Sequence, residues 1–495
     1  MLAASLAAPA AVMAGPFGFN VHVVAPNHVN DTADLQAALN ACVGGGPGCT
    51  VQLLPGTYYT SQLLTYNFHG TFTGAGDGLT KIDALPLTNV NWPDPYVTHC
   101  MPNFSTCIWP DLIMFVGGSI EVSDLSIDLS TYTNGAETSQ WTLNGEPTAL
   151  VGDVLLFWVQ GRTDALVDHV SITGADDTES PVTNGYTGYN VVNGVTYITN
   201  PNLTATTPMT GSFAVRNSSF QTMLEGVQVL GDFRSVPITV GGSPGAGNRI
   251  DDVVNGIIVG GPGATYDVSA DDATTNPNYA NAHIGVFVEP SGFETASTPL
   301  SQVLIHDNNI ESSDALGSFV YGLLLLDAST WQLPPSEPAV AVYWFRGTIL
   351  HNAISLPKPA WLYLFKDGID VNNASGLLIS GNTINDTGST VGAADAIALW
   401  GDVTGSPPST NNVVIGNNVS GFTPDPTYGF AQYYLDPITS HNLVVCTTPK
   451  DTALDQGMYN TVIGCSAPTA ATPGVTPLVR PTSPANRFKL PLRVP

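Results

Sequence analysis

The chain has 495 residues, of which only 11% are charged while 50 are Gly and 38 are Pro, a balance suited to many short strands and turns rather than to helices. Thirteen Lys and Arg face 40 Asp and Glu, a net charge of −27, and four of the basic residues lie in the acid-free last 30 positions, so nine bases stand against all 40 acids in the body. Such a surface repels nucleic acid and anionic membranes and disfavours a free polyanionic substrate unless a cation intervenes, and no run of about 18 apolar residues suggests membrane insertion.

Residues 1–14, MLAASLAAPAAVMA, are apolar and small, with Val12 and Ala14 placed as the −3 and −1 residues of a signal-peptidase site; the basic start usual in such leaders is missing. Export is the natural reading, to a secreted or cell-surface location. Six cysteines fall into local pairs, Cys42 with Cys49, Cys100 with Cys107 and Cys446 with Cys465, which fits three short-loop disulfides in an oxidising compartment. A polar start at Asn30-Asp31-Thr32 followed by apolar residues at helical spacing predicts a short amphipathic helix over Asp34–Asn40, capping the open end of whatever follows. Val51–Tyr59 and Gly70–Ile82 read as strands with turns, Ile120–Leu129 and Ala165–Gly174 as further strands, and two long insertions occupy about 85–112 and 176–211.

From residue 225 onward a strand type repeats: Glu225-Gly-Val-Gln-Val, Asn255-Gly-Ile-Ile-Val, Ile284-Gly-Val-Phe-Val, Tyr321-Gly-Leu-Leu-Leu, Asp367-Gly-Ile-Asp-Val, Asp395-Ala-Ile-Ala-Leu and Tyr428-Gly-Phe-Ala-Gln, in steps of 30, 29, 37, 46, 28 and 33 residues. A second type, such as Leu378–Ile384, shares Asn308, Asn352, Asn382 and Asn417, spaced 44, 30 and 35. A period near 30 with variable excess means one coil per repeat plus loops of different length, which is how a parallel β-solenoid reads. One elongated domain over 15–465 follows, with 466–495 as a Pro-rich basic tail.

The order DTADLQAALNAC, VQLLPGTYY, GTFTGAGDGLTKI resembles the amino-terminal entry of the pectin-lyase-like superfamily, which includes polysaccharide lyases, polygalacturonase-type hydrolases and phage tailspikes. The resemblance implies an all-β chain wound as a single-stranded right-handed parallel β-helix with an N-terminal helical cap. The stretch Lys366–Asp402 also resembles the polygalacturonase-type glycoside hydrolases of family 28, whose active strands read NTDGID and, one coil later, DDCIAI; Asp367 and Asp395 match, while the Asn-Thr pair, the first Asp of the second motif, and the family's Gly-His-Gly and Arg-Ile-Lys motifs are not found.

Asp367 and Asp395 occupy the same place in consecutive coils, about 4.8 Å apart, so one carboxyl should hold a proton beside an ionised neighbour. That is the pair glycoside hydrolysis needs, with Asp395 as acid and Asp367 as base. Strict alternation puts Ile369 and Val371 on one face and Gly368 and Asp370 on the other. The outward row then runs Gln228, Ile258, Phe287, Leu324, Asp370, Ala398, with Glu289, Asn372 and Trp400 two residues on. Lys366, Asp370 and Glu289 would position a polysaccharide and Trp400 would stack on it. A lyase would need a base, for which Lys366, Arg249 and Arg346 are the candidates, and often Ca²⁺. Ca²⁺ could sit at Asp176-Asp177, Asp251-Asp252 or Asp271-Asp272, where a solvated turn is the alternative. His169, His283, His306 and His351 read as turn residues. A non-catalytic surface or adhesive carbohydrate-binding solenoid is the second class of function.

Overall fold

Strands that are apolar on both faces can satisfy their backbone only by stacking on strands like themselves, and the repeat does so. The structure, a computed structural model, describes residues 12–14, 20–43, 48–87, 111–132, 142–143, 146–147, 151–175, 189–199, 209–275, 282–290, 298–312, 319–326, 343–356, 365–387, 393–401, 407–422 and 431–468. The chain divides into two compact units, Met1–Leu224 and Glu225–Pro495, each a stretch of right-handed parallel β-helix, the hand that parallel crossovers take. Among the described residues no helix is long and apolar enough to cross a membrane.

In the carboxy-terminal unit each coil contributes up to three short strands, and each strand pairs in parallel with its counterpart one coil on. Arg249–Gly260, Ala282–Glu289, Phe319–Leu326, Phe365–Asn372, Ala393–Trp400 and Tyr433–Leu435 make the first face. Ser301–His306, Phe345–Leu350, Leu377–Ser380 and Val413–Ile415 stack in the second, and Asn309–Ser312, Ala353–Leu356, Thr383–Asp386 and Asn418–Ser420 in the third. The interior is a set of aliphatic columns. Ile257, Val286, Leu323, Ile369 and Ile397 follow one another in register, facing Ile310, Ile354 and Ile384, all buried.

The second strand type of the sequence is therefore two strands with a corner between them. At each corner one residue takes a left-handed conformation, Asp307 (φ 56°), His351 (φ 55°), Gly381 (φ 66°) or Gly416 (φ 68°), and the next is an asparagine. The asparagines form a buried ladder: Nδ2 of Asn308, Asn352 and Asn382 each donates to Oδ1 of the next, at 2.9 Å throughout. The second Nδ2 hydrogen goes to a strand carbonyl, of Val268, Ile305 and Ile349 respectively. Every polar atom of such an amide is matched, which is what lets it sit in the core. The repeat departs from the sequence reading at its end. Ile397 pairs with Tyr433, so Tyr433–Leu435 is the next strand of the first face, and Tyr428 lies outside the described residues.

In the amino-terminal unit the helix spans Thr32–Ala41 and buries Leu35, Ala38 and Leu39. Asp31, at its start, spends its carboxylate on the N–H groups of Asn27 and Tyr59, at 2.6 and 2.9 Å, and not on the helix. The long strands Leu63–Thr73, Ile113–Asp128 and Val151–Thr173 stack in parallel and carry an interior aromatic column, with Phe68, Phe115, Phe157 and Phe213 at centroid spacings of 5.5, 5.6 and 6.1 Å. Among the described residues, antiparallel pairing joins Val12–Ala14 with Asn20–Val24, Thr142–Leu143 with Glu146–Pro147, and Val43 with Phe68 in a single bridge.

Cys42–Cys49 and Cys446–Cys465 are bonded as the spacing predicts; Cys100 and Cys107, most of the leader, Asp176-Asp177 and the tail beyond residue 468 lie outside the described residues. Replacing Cys446 and Cys465 by Ser should cost about 3 kcal/mol, the loop-closure value for their separation of 19 residues. Denaturant midpoints of the oxidised protein and the double variant measure it.

Candidate functional site

The small second residue of each repeat has a structural cause that places the site. Register passes from Asp367↔Asp395 straight to Ile369↔Ile397, and the N–H groups of Ala396 and Ile397 both reach the carbonyl of Gln432 at 3.0 Å. This is a β-bulge: Gly368 and Ile369 both turn inward. A Cβ on Gly368 would stand 2.4 Å from Ile384 Cγ2 and 2.6 Å from the Ala396 carbonyl, so only a very small residue fits. The bulge corrects the alternation read from sequence. Asp367 lies outward with Asp370, and Lys366 lies inward.

Asp367 and Asp395 are brought together as consecutive members of one column. The Asp395 N–H donates to Asp367 Oδ1 at 3.3 Å, and the Ala431 N–H to Asp395 Oδ1 at 2.9 Å. Asp370 accepts from Asn372 Nδ2, and Asn372 pairs with Trp400 on the next coil. This face is enclosed, however. Asp367 is 4% exposed, Asp395 and Asp370 0%, and Trp400 2%. The Trp400 ring packs against Tyr434, with centroids 4.9 Å apart, so its partner is a protein ring. Glu289 is half-buried and, on the Phe319–Leu326 and Phe365–Asn372 registers, stands three coils from Trp400, on the order of 14 Å away.

Lys366 departs furthest from its expected role. It points into the coil, its Nζ 2.6 Å from Asp386 Oδ1 with both side chains 0% exposed, and offers no surface to a substrate. Burial holds its pKa below the ordinary lysine value, against the pull of Asp386. Of the other basic candidates, Arg249 forms an exposed ion pair with Asp251 at 3.2 Å, and Arg346 is exposed on the second face. Of the acidic pairs, Asp271 is buried at a ladder corner while its neighbour Asp272 is exposed and takes Asn309 Nδ2 at 2.7 Å. Among the described residues the group of three potential metal ligands is His22, Cys42 and Cys49, and those cysteines are bonded to each other. His169 and His351 occupy left-handed corners, and His306 Nδ1 lies 2.7 Å from Asp307.

The amino-terminal unit builds the same device with residues the repeat search passed over. The Asp153 N–H donates to Asp111 Oδ1 at 3.1 Å, as Asp395 does to Asp367. Burial, and then the charge of Asp153, push the Asp111 pKa well above the usual carboxylate range. Asn193, opposite Asp153 on the next coil, gives its Nδ2 to Asp153 Oδ1 at 2.7 Å, and Thr196 donates a short bond to the same oxygen. Unlike Asp395, Asp153 is only half-buried. The signal was present in the likeness of Asp111-Leu-Ile-Met-Phe-Val to Asp153-Val-Leu-Leu-Phe-Trp, but Leu112 and Val154 replace the glycine and insertions stretch the step to 42 residues.

No family model matches the chain, and no curated protein does. Solved structures similar to it include the A-module of a mannuronan C-5 epimerase from Azotobacter vinelandii, 13% identical over 90% of this chain and 96% of that one, with a TM-score of 0.39. A family 28 exopolygalacturonase from Yersinia enterocolitica is 10% identical over 84% and 78%, TM-score 0.39. The tailspike of Escherichia coli bacteriophage HK620, solved with a hexasaccharide, is 12% identical over 91% and 76%, TM-score 0.41. The fold itself is carried by the strand registers above.

Proposed function

We propose that the protein is a secreted or cell-surface carbohydrate-active β-helix enzyme that cleaves glycosidic bonds of a polysaccharide, as a hydrolase using the stacked carboxyls of Asp367 and Asp395. The observation that carries this reading is their register. Two outward acids one coil apart, joined through the Asp395 N–H, can hold a protonated and an ionised carboxyl side by side. Asp395 protonates the leaving oxygen and Asp367 activates water, the division of labour of glycoside hydrolysis. A lyase is less well supported, because Lys366, the base nearest the pair, is spent on Asp386 inside the coil. The bonded cysteines suit an oxidising compartment.

A second reading, a non-catalytic carbohydrate-binding solenoid, is favoured by one observation: the pair is 4% and 0% exposed, so a sugar meets it only if the cover over this face opens. One experiment decides. Reducing-sugar release and unsaturated-product absorbance are followed on a panel of neutral and acidic polysaccharides, with Asp367→Asn and Asp395→Asn beside the native chain. Each substitution is expected to lower hydrolysis at least about 100-fold. Undiminished cleavage in both variants overturns the assignment, and no cleavage by the native chain on any substrate selects the non-catalytic reading.

A further inference from the structure

One face of the carboxy-terminal unit is apolar where it meets solvent. On the second face Ile379, Val414 and Val444 are buried inside the coil, so their neighbours in Leu377–Ser380, Val413–Ile415 and Leu443–Val445 turn outward. Register then stacks two outward rows, Leu378, Val413 and Leu443 in one and Ile415, Val445 and Ile463 in the other. Ile415 is 39% and Ile463 51% exposed, and the other four are half-buried. Earlier coils carry Asp267 in the first of these rows and His306 in the second. From Leu377 on, the outward positions of the second face hold no charge. Six aliphatic side chains form one contiguous plate there, and a patch of that kind marks a surface with a partner.

A segment of matching chemistry lies in the same chain, among residues outside those described. In Arg487-Phe488-Lys489-Leu490-Pro491-Leu492-Arg493-Val494 basic and apolar residues alternate. An extended backbone puts Phe488, Leu490, Leu492 and Val494 on one side and Arg487, Lys489 and Arg493 on the other. Pro491 favours that backbone, since it biases Leu490 away from the helical region. The apolar side suits the plate, and the basic side suits a body in which nine bases stand against 40 acids. The tether is long enough. Ser466 is bridged to Thr452 on the last coil, its N–H donating to the Asp451 carbonyl at 2.8 Å. The 18 residues 469–486 can span up to about 60 Å, whereas the plate runs back from the last coil by three strand spacings, about 14 Å. A second copy set plate to plate would instead press together two bodies of like charge.

We propose that residues 487–494 dock in extended form on the plate of their own chain, with Phe488, Leu490, Leu492 and Val494 against the aliphatic rows and the basic side turned away from them. The docking uses none of the groups of the cleavage reading, and the two stand or fall separately. The test is trypsin digestion of the folded full chain read by mass spectrometry, because Arg487 and Lys489 are themselves cleavage points. A free peptide of residues 484–495 is cut in the same digest. The ratio of peptide rate to chain rate reports how far the docked segment outweighs the open one. Protection of about tenfold or more is expected for the native chain, unchanged on dilution and with a monomer in sedimentation velocity. It should disappear in the double variant Ile415→Ser with Val445→Ser, and in Phe488→Ser with Leu490→Ser measured against a peptide of its own sequence. The plate substitutions replace outward side chains and leave the buried columns intact, so the fold survives them. The proposal is overturned if the native chain is cut as fast as the peptide. Protection that persists in the plate variant also overturns it, by seating the segment elsewhere, as does protection lost on dilution together with a dimer, which seats it on a second copy.

Discussion

Replacing Lys366 by Met is expected to destabilise the carboxy-terminal unit by about 3–5 kcal/mol, the cost of leaving one member of a buried ion pair alone. The bulge at Gly368 turns Lys366 into the coil, where its Nζ meets Asp386 Oδ1 at 2.6 Å and both side chains are sealed from solvent. Without the ammonium, a carboxylate remains in an apolar core. The coil before solves the same positions differently. Val320 is the register partner of Lys366 and Leu356 that of Asp386, both fully buried, so an apolar pair is compatible with this backbone. The double variant Lys366→Met with Asp386→Leu should therefore recover to within about 1 kcal/mol of the native chain, or exceed it. Denaturant midpoints of the single and double variants decide. A single substitution costing less than about 1 kcal/mol, or a double variant no better than the single, would show that the pair is not a buried electrostatic unit.

The same bulge marks how far the sequence could be read. The coil repeat was legible because its causes are local and chemical: a very small residue wherever two neighbours turn inward, as at Gly285, Gly322 and Gly368, and an asparagine at each corner, as at Asn352 and Asn382. Asp367 and Asp395 were legible as neighbours for the same reason. What alternation could not supply is which way Lys366 points, since one extra residue in a strand reverses every side chain before it. Nor did a count of carboxylates show that the outward row is closed, although the runs Ile257-Ile258-Val259, Val286-Phe287-Val288 and Leu323-Leu324-Leu325 are apolar at every position, the pattern of strands covered on both faces. Asp111 and Asp153 escaped because a repeat search weighted on glycine cannot see a coil in which Leu112 or Val154 stands where the glycine does.

The stability of the carboxy-terminal unit should fall as pH rises from 5 to 8, and Asp271→Asn should remove much of that fall. Asp271 occupies a corner of the asparagine ladder. Its Oδ1 accepts from the backbone N–H and Nδ2 of Asn248, at 2.8 and 2.9 Å, and its own N–H donates to Asn308 Oδ1 at 3.0 Å. Where the other corners have an amide nitrogen donating twice, Asp271 has Oδ2, which is buried and has no hydrogen-bond partner. Burial pushes its pKa up to about 7, against the pull of the Asn248 bonds, with the nearby Asp267 adding to the rise. The folded chain therefore keeps a proton that the unfolded chain releases near pH 4, so the group's stabilisation is complete below that value and is lost as pH climbs to about 7, amounting to roughly 4 kcal/mol at most. Asparagine does not titrate, and its Nδ2 can donate to Asn308 Oδ1 as Asn308 itself does to Asn352. The variant should match the native chain near pH 4 and exceed it by about 2–4 kcal/mol at pH 8. Because the many surface acids also respond to pH, the quantity to measure is the difference in unfolding midpoint between variant and native chain at each pH. A difference that stays constant from pH 4 to 8 would mean that Asp271 ionises as an ordinary carboxyl and that the ladder tolerates its charge.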